Sequence, residues 1–171
     1  MSPALASHIK DIATLDEFVM SFTLRPLSQA SGSGQILKIG AGEIQGPSVM
    51  LEANNRLAIT YGGAANAGVW VEASPIPSWE QETDSQDVLT DSAQLSVGVD
   101  VEVSIVLHGT TLELYVDGER RASARVVDKV SGTQPLFTSE SSPADVCISQ
   151  FSYGVLPSPS PPPPSPPPPF P

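Results

Sequence analysis

The sequence predicts an all-β protein built as an antiparallel β-sandwich, and three observations lead to that prediction. Apolar and polar residues alternate from Val99 to Leu107, which is the pattern of a strand with one buried face. The turn signals Gly109-Thr110 and Asp117-Gly118-Glu119 divide residues 99–127 into three antiparallel strands that share one apolar face. No segment shows convincing helical amphipathicity, so a second sheet has to cover that face.

The two turns also predict the register of these three strands. If Leu107 pairs with Leu112, both apolar rows stay on one face only when the loop between them has two residues. The second loop needs an odd number of residues if Ala122 and Ala124 are to face inward as well. We therefore expect a three-residue loop, Asp117-Gly118-Glu119, with its glycine at positive φ.

The rest of the chain up to residue 156 adds further strands, about ten or eleven in all. Asn54-Asn55 predicts a hairpin turn, because asparagine tolerates the left-handed conformation, and Pro26 ends the strand that begins at Phe18. A long polar segment, 74–94, precedes the 99–127 group. The remaining predicted strands cover residues 6–12, 18–24, 35–39, 48–53, 56–61, 68–73, 135–139 and 145–155.

Five stretches of sequence carry a resemblance to a known family. In chain order they read EFVMSFTLRPLS, QILKIGAG, SVMLEANNRLAITYGG, VEVSIVLHGTTLELYVDGERRASA and ISQFSYGVL. Their order resembles the concanavalin A-like jelly roll of laminin G and related lectin or glucanase domains, and LELYVDGER is the most specific piece. The resemblance implies a jelly-roll domain over residues 1–156. It selects no activity, because this superfamily contains lectins, adhesion modules, glycosidases and structural domains.

Residues 157–171 form a second segment of a different kind. It holds eleven of the 18 prolines and no charged residue, and such runs adopt a polyproline II rod of about 3.1 Å per residue. Serine followed by four prolines resembles the extensins and other hydroxyproline-rich glycoproteins of plants and green algae. An intracellular SH3 or WW ligand is the alternative, but no Arg or Lys stands beside the prolines. The glycoprotein resemblance implies hydroxylation or O-glycosylation at Ser160, Pro161, Pro162, Pro163, Pro164, Ser165, Pro166, Pro167, Pro168 and Pro169.

The formal net charge of −11 is concentrated in one span of the chain. Residues 57–119 contain eleven acidic side chains and no Lys or Arg, which disfavours nucleic acid and anionic membranes as partners. No apolar run is long enough to span a bilayer, and Met1 to Ala4 open no hydrophobic signal segment. The single cysteine, Cys147, excludes an internal disulfide. We expect it buried on the last strand, with an intermolecular bridge as the alternative.

Three acidic residues after Trp79 superficially resemble the acidic triplet of laminarinase-like glycosidases. Glu80, Glu82 and Asp84 stand at alternate positions, but catalysis needs two carboxyl groups about 5 to 5.5 Å apart on a strand. Gln81 and Thr83 lie between them, where the family pattern has apolar residues. We therefore favour a solvated loop and predict no catalytic residue.

Four acidic residues meet at one end of the predicted hairpins. The register places Glu102 opposite Asp117 and Asp100 opposite Glu119, and like charges directly opposed on a sheet are destabilising. Two outcomes are open: hydrated carboxylates that diverge at the strand ends, which we favour, or a bound Ca²⁺, which takes six to eight oxygen ligands. The candidate metal site therefore consists of Asp100, Glu102, Asp117 and Glu119.

Two aromatic residues are candidates for sugar binding. Trp79 lies in the polar segment and Tyr115 is predicted on the outer face of its strand, and sugars stack on exposed aromatic rings. The alternative is that both are ordinary surface residues, since one or two exposed aromatics are common.

These observations predict a non-enzymatic structural or adhesive module with a glycosylated stalk. We expect it to be secreted and to belong to a cell wall, matrix or surface appendage. A head that binds the stalk of the next copy would make a heterologous contact that propagates, so we also predict a homo-oligomer or fibre. The alternative is a lectin whose head binds glycans and whose stalk is a tether; a laminarinase-like glycosidase is a third hypothesis.

Overall fold

The computed structural model describes residues 7–41, 44–62, 70–72, 94–138 and 145–156. Within these ranges the chain forms eleven strands and one short 3-10 turn, Ala53–Asn55. The strands are β1 (Ser7–Ala13), β2 (Phe18–Pro26), β3 (Gly34–Ala41), β4 (Ile44–Glu52), β5 (Arg56–Gly62), β6 (Trp70–Glu72), β7 (Val101–His108), β8 (Thr111–Val116), β9 (Glu119–Arg125), β10 (Thr133–Thr138) and β11 (Val146–Gly154).

The strands lie in two antiparallel sheets that pack face to face. The six-stranded sheet has the order β1-β10-β3-β4-β5-β6, and the five-stranded sheet has the order β11-β2-β7-β8-β9. In strands such as β2, β7 and β8, alternate residues point into the space between the sheets and form one core. The predicted all-β sandwich is therefore confirmed. In the described part of the chain, no helix has the length and hydropathy needed to cross a membrane.

The core explains why the sequence alternates as it does. Strand β2 buries Phe18, Met20, Phe22 and Leu24, while the residues between them stay partly exposed. The largest fully buried side chains are Tyr61, Phe18, Phe22, Met20, Leu24, Ile36, Leu37, Ile39, Leu51, Leu57, Ile59 and Ile105. Two tyrosines also hold loops against this core: the Tyr61 hydroxyl accepts a hydrogen bond from the amide of Val130 (2.8 Å), and Tyr153 accepts one from Leu15 (3.2 Å).

The first hairpin of the 99–127 group has the register that the sequence predicts. Leu107 pairs with Leu112, and the loop between β7 and β8 is Gly109-Thr110. Gly109 has a φ of 57°, as glycine at the first central position of a tight hairpin allows.

The second hairpin turns Ala122 towards the core, as predicted, but with a different loop. The loop has two residues, because Val116 pairs with Glu119 across Asp117-Gly118, and both loop residues have positive φ (52° and 77°). The expected three-residue loop is therefore wrong. A β-bulge at Arg121 supplies the odd residue instead, since Tyr115 pairs with Arg120 while the preceding residue, Leu114, pairs with Ala122. As expected, Ala122 still lies in the core.

Cys147 is exposed, so the expectation of a buried cysteine is wrong. Strand β11 forms the edge of its sheet, and Cys147 pairs with Arg25, a position that faces outward from β2. The inward positions of this part of β11 are those of Val146 and Ile148, which pack against the core.

Candidate functional site

The outer face of the five-stranded sheet carries a row of polar side chains that crosses all five strands. The register aligns Ser152 of β11, Ser21 of β2, Ser104 of β7, Tyr115 of β8 and Arg120 of β9. We call this set the hydroxyl row. The members on β11, β2, β7 and β8 alternate with residues that pack in the core, so the periodicity that builds the core also turns them outward, whereas Arg120 lies beside a β-bulge on β9.

Small hydroxyl groups occupy the first half of the hydroxyl row. The hydroxyl oxygens of Ser21 and Ser152 lie 2.7 Å apart and share a hydrogen bond. Thr23, two residues along β2, extends the same chemistry, and its hydroxyl lies 3.4 Å from the amide oxygen of Gln150. Neighbouring strands are about 4.8 Å apart, so successive hydroxyl groups are presented at that spacing.

Tyr115 is half-buried and held in place by a hydrogen-bonded pair. Its hydroxyl donates to Oε2 of Glu113 (3.0 Å), and Nη1 of Arg120 donates to Oε1 of the same carboxylate (2.9 Å). Burial raises the pKa of Tyr115, and the hydrogen bond to Glu113 raises it further. The phenol therefore stays neutral at physiological pH and the ring has a defined orientation beside the serines.

An arginine–carboxylate pair lies on β2 at the edge of this face. Nε of Arg25 donates to Oδ1 of Asp100 (2.7 Å), and Nη2 donates to the second carboxylate oxygen. These hydrogen bonds hold the pKa of Asp100 below its usual range. Arg25 and Arg120 are thus both already paired with carboxylates.

The arrangement suits the binding of uncharged polyhydroxylated molecules. Serine hydroxyl groups donate and accept hydrogen bonds, and an oriented aromatic ring offers an apolar surface beside them. Within the hydroxyl row, the one charged member, Arg120, is paired with Glu113.

The four acidic residues of the candidate Ca²⁺ site do not converge. The side chain of Asp117 accepts a hydrogen bond from the amide of Glu102 (2.9 Å), which relieves the predicted opposition of these two acids. Asp100 binds Arg25, and Glu119 binds Arg121 through an Nη2–Oε2 contact of 2.7 Å. Among the described residues, no three His, Cys, Asp or Glu side chains are grouped so that they could hold a metal ion.

The described residues include one of the two predicted sugar-binding aromatics, Tyr115. Tyr115 lies on the outer face as predicted, and its role in binding stays a prediction. Trp79, together with Glu80, Glu82 and Asp84, lies outside the described residues. The described residues end at 156, which is where the predicted jelly-roll domain ends. The modification sites predicted between Ser160 and Pro169 lie outside the described residues.

Sequence reasoning missed the serines of the hydroxyl row and the Glu113–Arg120 pair. The alternation of β2 and β7 places Ser21 and Ser104 on polar faces, and that signal is present in the sequence. It does not show that β2 and β7 are neighbours, because 83 residues separate the paired serines and only the tertiary fold joins them.

Comparison with known proteins places the fold but not the family. No protein-family model matches the sequence, and no curated protein matches it. A heptameric SAP-like pentraxin from Limulus polyphemus has a similar structure, with a TM-score of 0.56, 13% identity and coverage of 90% of this chain and 71% of the pentraxin. The carbohydrate-binding module CBM66 from Bacillus subtilis gives a TM-score of 0.51, 8% identity and coverage of 84% and 76%.

A third similar structure belongs to botulinum neurotoxin type C, whose cell entry depends on interaction with two ganglioside molecules. The TM-score is 0.52 at 12% identity, and the match covers 82% of this chain but only 32% of the neurotoxin chain. At these identities the likeness concerns the fold alone, which is an antiparallel jelly-roll β-sandwich.

Proposed function

We propose that this protein is a non-enzymatic carbohydrate-binding module whose sugar site is the hydroxyl row. The observation that carries the proposal is the alignment of Ser152, Ser21 and Ser104 with an oriented tyrosine ring on one solvent-facing sheet. Three hydroxyl groups and a ring edge match the mixed polar and apolar surface of a saccharide. Because Arg25 and Arg120 are occupied, the favoured ligand is a neutral sugar.

The structural neighbours support the same class of function by analogy. One is named as a carbohydrate-binding module, and another belongs to a toxin whose entry depends on gangliosides. The analogy supports a glycan as the ligand class.

A glycan array followed by calorimetry tests this proposal. Tyr115→Ala removes the ring, so we expect the affinity for the best neutral ligand to fall by about tenfold or more, in line with aromatic contacts at binding sites. Tyr115→Phe keeps the ring and loses only the bond to Glu113, so it should retain most of the affinity. Equal binding by Tyr115→Ala and the unchanged protein would contradict the assignment.

The sequence of residues 157–171 favours a second candidate function, a structural or adhesive module with a glycosylated stalk. In that case the protein is secreted to a wall, matrix or surface appendage and assembles through its stalk. Mass spectrometry of the native protein should then find hydroxyproline or attached sugars between Ser160 and Pro169, and unmodified prolines throughout would reject it. Light scattering of the full chain against a chain ending at Leu156 tests the assembly, which should be lost in the shorter form.

A further inference from the structure

The opposite face of the sandwich presents a second polar row with a different charge. On the outer face of the six-stranded sheet, the register aligns Phe137 of β10, Lys38 of β3, Ser48 of β4 and Thr60 of β5. We call this set the lysine row. Leu37 and Ile39, on either side of Lys38, are fully buried in the core, so Lys38 itself points outward.

Small residues form the floor of this face around Lys38. Ser48 and Ala58 lie on the outer side of β4 and β5, yet they are only 1% and 0% exposed. Gln35 and Met50 are register partners and stand beside them, and Nε2 of Gln35 donates a hydrogen bond to the Ser48 hydroxyl. Lys38 is therefore half-buried beside amide and hydroxyl groups.

Lys38 lacks a carboxylate partner in the described ranges of the chain. Its register neighbours are Phe137 and Ser48, and Glu52, on the adjacent strand β4, lies four residues beyond Ser48 and is in register with Arg56. Burial lowers the pKa of Lys38, because desolvation penalises the ammonium form. Within the described residues, Lys38 is therefore a partly desolvated cation with no carboxylate in contact.

We propose that the lysine row is a second binding site, distinct from the hydroxyl row, for the carboxylate group of an acidic saccharide. The Lys38 ammonium would pair with the carboxylate, and the partly exposed side chains of Gln35 and Thr60 supply an amide oxygen and a hydroxyl group for the sugar ring, while Ser48 holds Gln35 in place. An ammonium already partly desolvated gains more from an anion than a fully hydrated one does. The two sites differ in charge: Arg120 of the hydroxyl row is paired with Glu113, whereas Lys38 of the lysine row has no carboxylate in contact among the described residues.

An NMR titration of the full chain with trigalacturonate tests this site. The backbone amides of Lys38, Ser48 and Thr60 should shift, while those of Ser104 and Tyr115 stay in place. Galactotriose, which is neutral, should leave the lysine row unshifted at the same concentration. Shifts confined to other regions, or equal shifts with both saccharides, would overturn the proposal.

Variants separate the charge from other effects. Lys38→Gln should weaken trigalacturonate binding about tenfold or more, as expected for loss of one charge-assisted hydrogen bond, and Lys38→Arg should retain most of the binding. Lys10→Gln is the matched control. The Lys10 ammonium lies over the ring of Phe151 on β11, the edge strand of the other sheet, and so away from the lysine row. This variant should bind trigalacturonate as the unchanged protein does. If Lys38→Gln binds with unchanged affinity, the site is wrong.

Two further measurements test the kind of anion bound and the independence of the two sites. Galactose 6-sulfate tests the nature of the anion, and binding equal to that of trigalacturonate at the same amides would overturn the choice of a carboxylate. Tyr115→Ala should bind trigalacturonate normally. A failure of the hydroxyl row and a failure of the lysine row are therefore distinguishable.

Discussion

Among single residues, Asn55 shows how one side chain holds three segments together. It is buried, has a φ of 58°, and lies in the 3-10 turn between β4 and β5. Its Oδ1 accepts a hydrogen bond from the amide of Ala30 (2.7 Å), and its Nδ2 donates one to the backbone carbonyl of Leu95 (3.4 Å). Asparagine suits this position because it tolerates the left-handed region and carries an acceptor.

Replacement of Asn55 by alanine should therefore destabilise the fold. The change leaves the buried amide of Ala30 without its acceptor and places a less tolerant residue at positive φ, so we expect a loss of about 2–4 kcal/mol in the free energy of unfolding. Urea denaturation measures it. Asn54→Ala is the control, since Asn54 has a similar φ of 62° but is exposed, and it should cost less. Equal losses in both variants would show that the buried hydrogen bond contributes nothing.

Among the secondary-structure elements, the β8–β9 hairpin combines a tight turn with a bulge. Asp117-Gly118 adopts positive φ at both positions, and the Asp117 side chain also accepts a hydrogen bond from Glu102 on β7. The bulge at Arg121 then restores the inward facing of Ala122. Turn and bulge together place Arg120 beside Tyr115 at the end of the hydroxyl row. A change in this hairpin would therefore move a residue of the candidate site.

Gly118→Ala should destabilise this hairpin through the backbone alone. An added Cβ at Gly118 meets no atom within 4 Å, but the φ of 77° is strained for alanine, so we expect a loss of about 1 kcal/mol. Gly32→Ala is the matched control, because a Cβ there also meets no atom and no positive φ applies. That variant should be neutral or slightly stabilising. Identical unfolding curves for the two variants would contradict the argument.

Across the whole molecule, acidic residues tie separate parts of the sandwich together. Glu17, before β2, accepts a hydrogen bond from the amide of Gly109 at the β7–β8 turn (2.9 Å), and this bond is the main reason that its pKa is lowered. Arg25 and Asp100 connect β2 to the segment before β7. The pKa of Asp100 is lowered as well, so both carboxylates bind protons less readily in the folded state.

Stability should therefore fall in acid. A lowered folded-state pKa contributes stability above the unfolded value, about 4 for Asp and Glu, and that contribution is lost as the pH falls through the folded value. Urea unfolding between pH 6 and pH 2.5 should show the loss beginning near pH 4–5. Asp100→Asn should flatten part of this dependence, whereas Asp145→Asn, at an exposed carboxylate without an ion pair in the described structure, should not. Parallel pH profiles for the unchanged protein and Asp100→Asn would refute the assignment.

The strands, their buried faces and the register of the first hairpin can all be predicted from the amino-acid sequence. These features depend on a period of two and on the chemistry of short turns, and both are local properties of the chain around Leu107 and Leu112. The same alternation predicts that Tyr115 lies on an outer face.

The neighbours of each strand, and the side chains that their outer faces bring together, depend on the folded molecule. The hydroxyl row needs β11 beside β2 and β2 beside β7, and the lysine row needs β10 beside β3. Arg25 and Asp100 form a pair although 75 residues separate them. The second hairpin has a two-residue loop and a bulge at Arg121, where turn chemistry alone predicts a three-residue loop. These outcomes follow from the packing of two sheets against one core, because strand order and bulges adjust to that packing and leave no signal within a single strand.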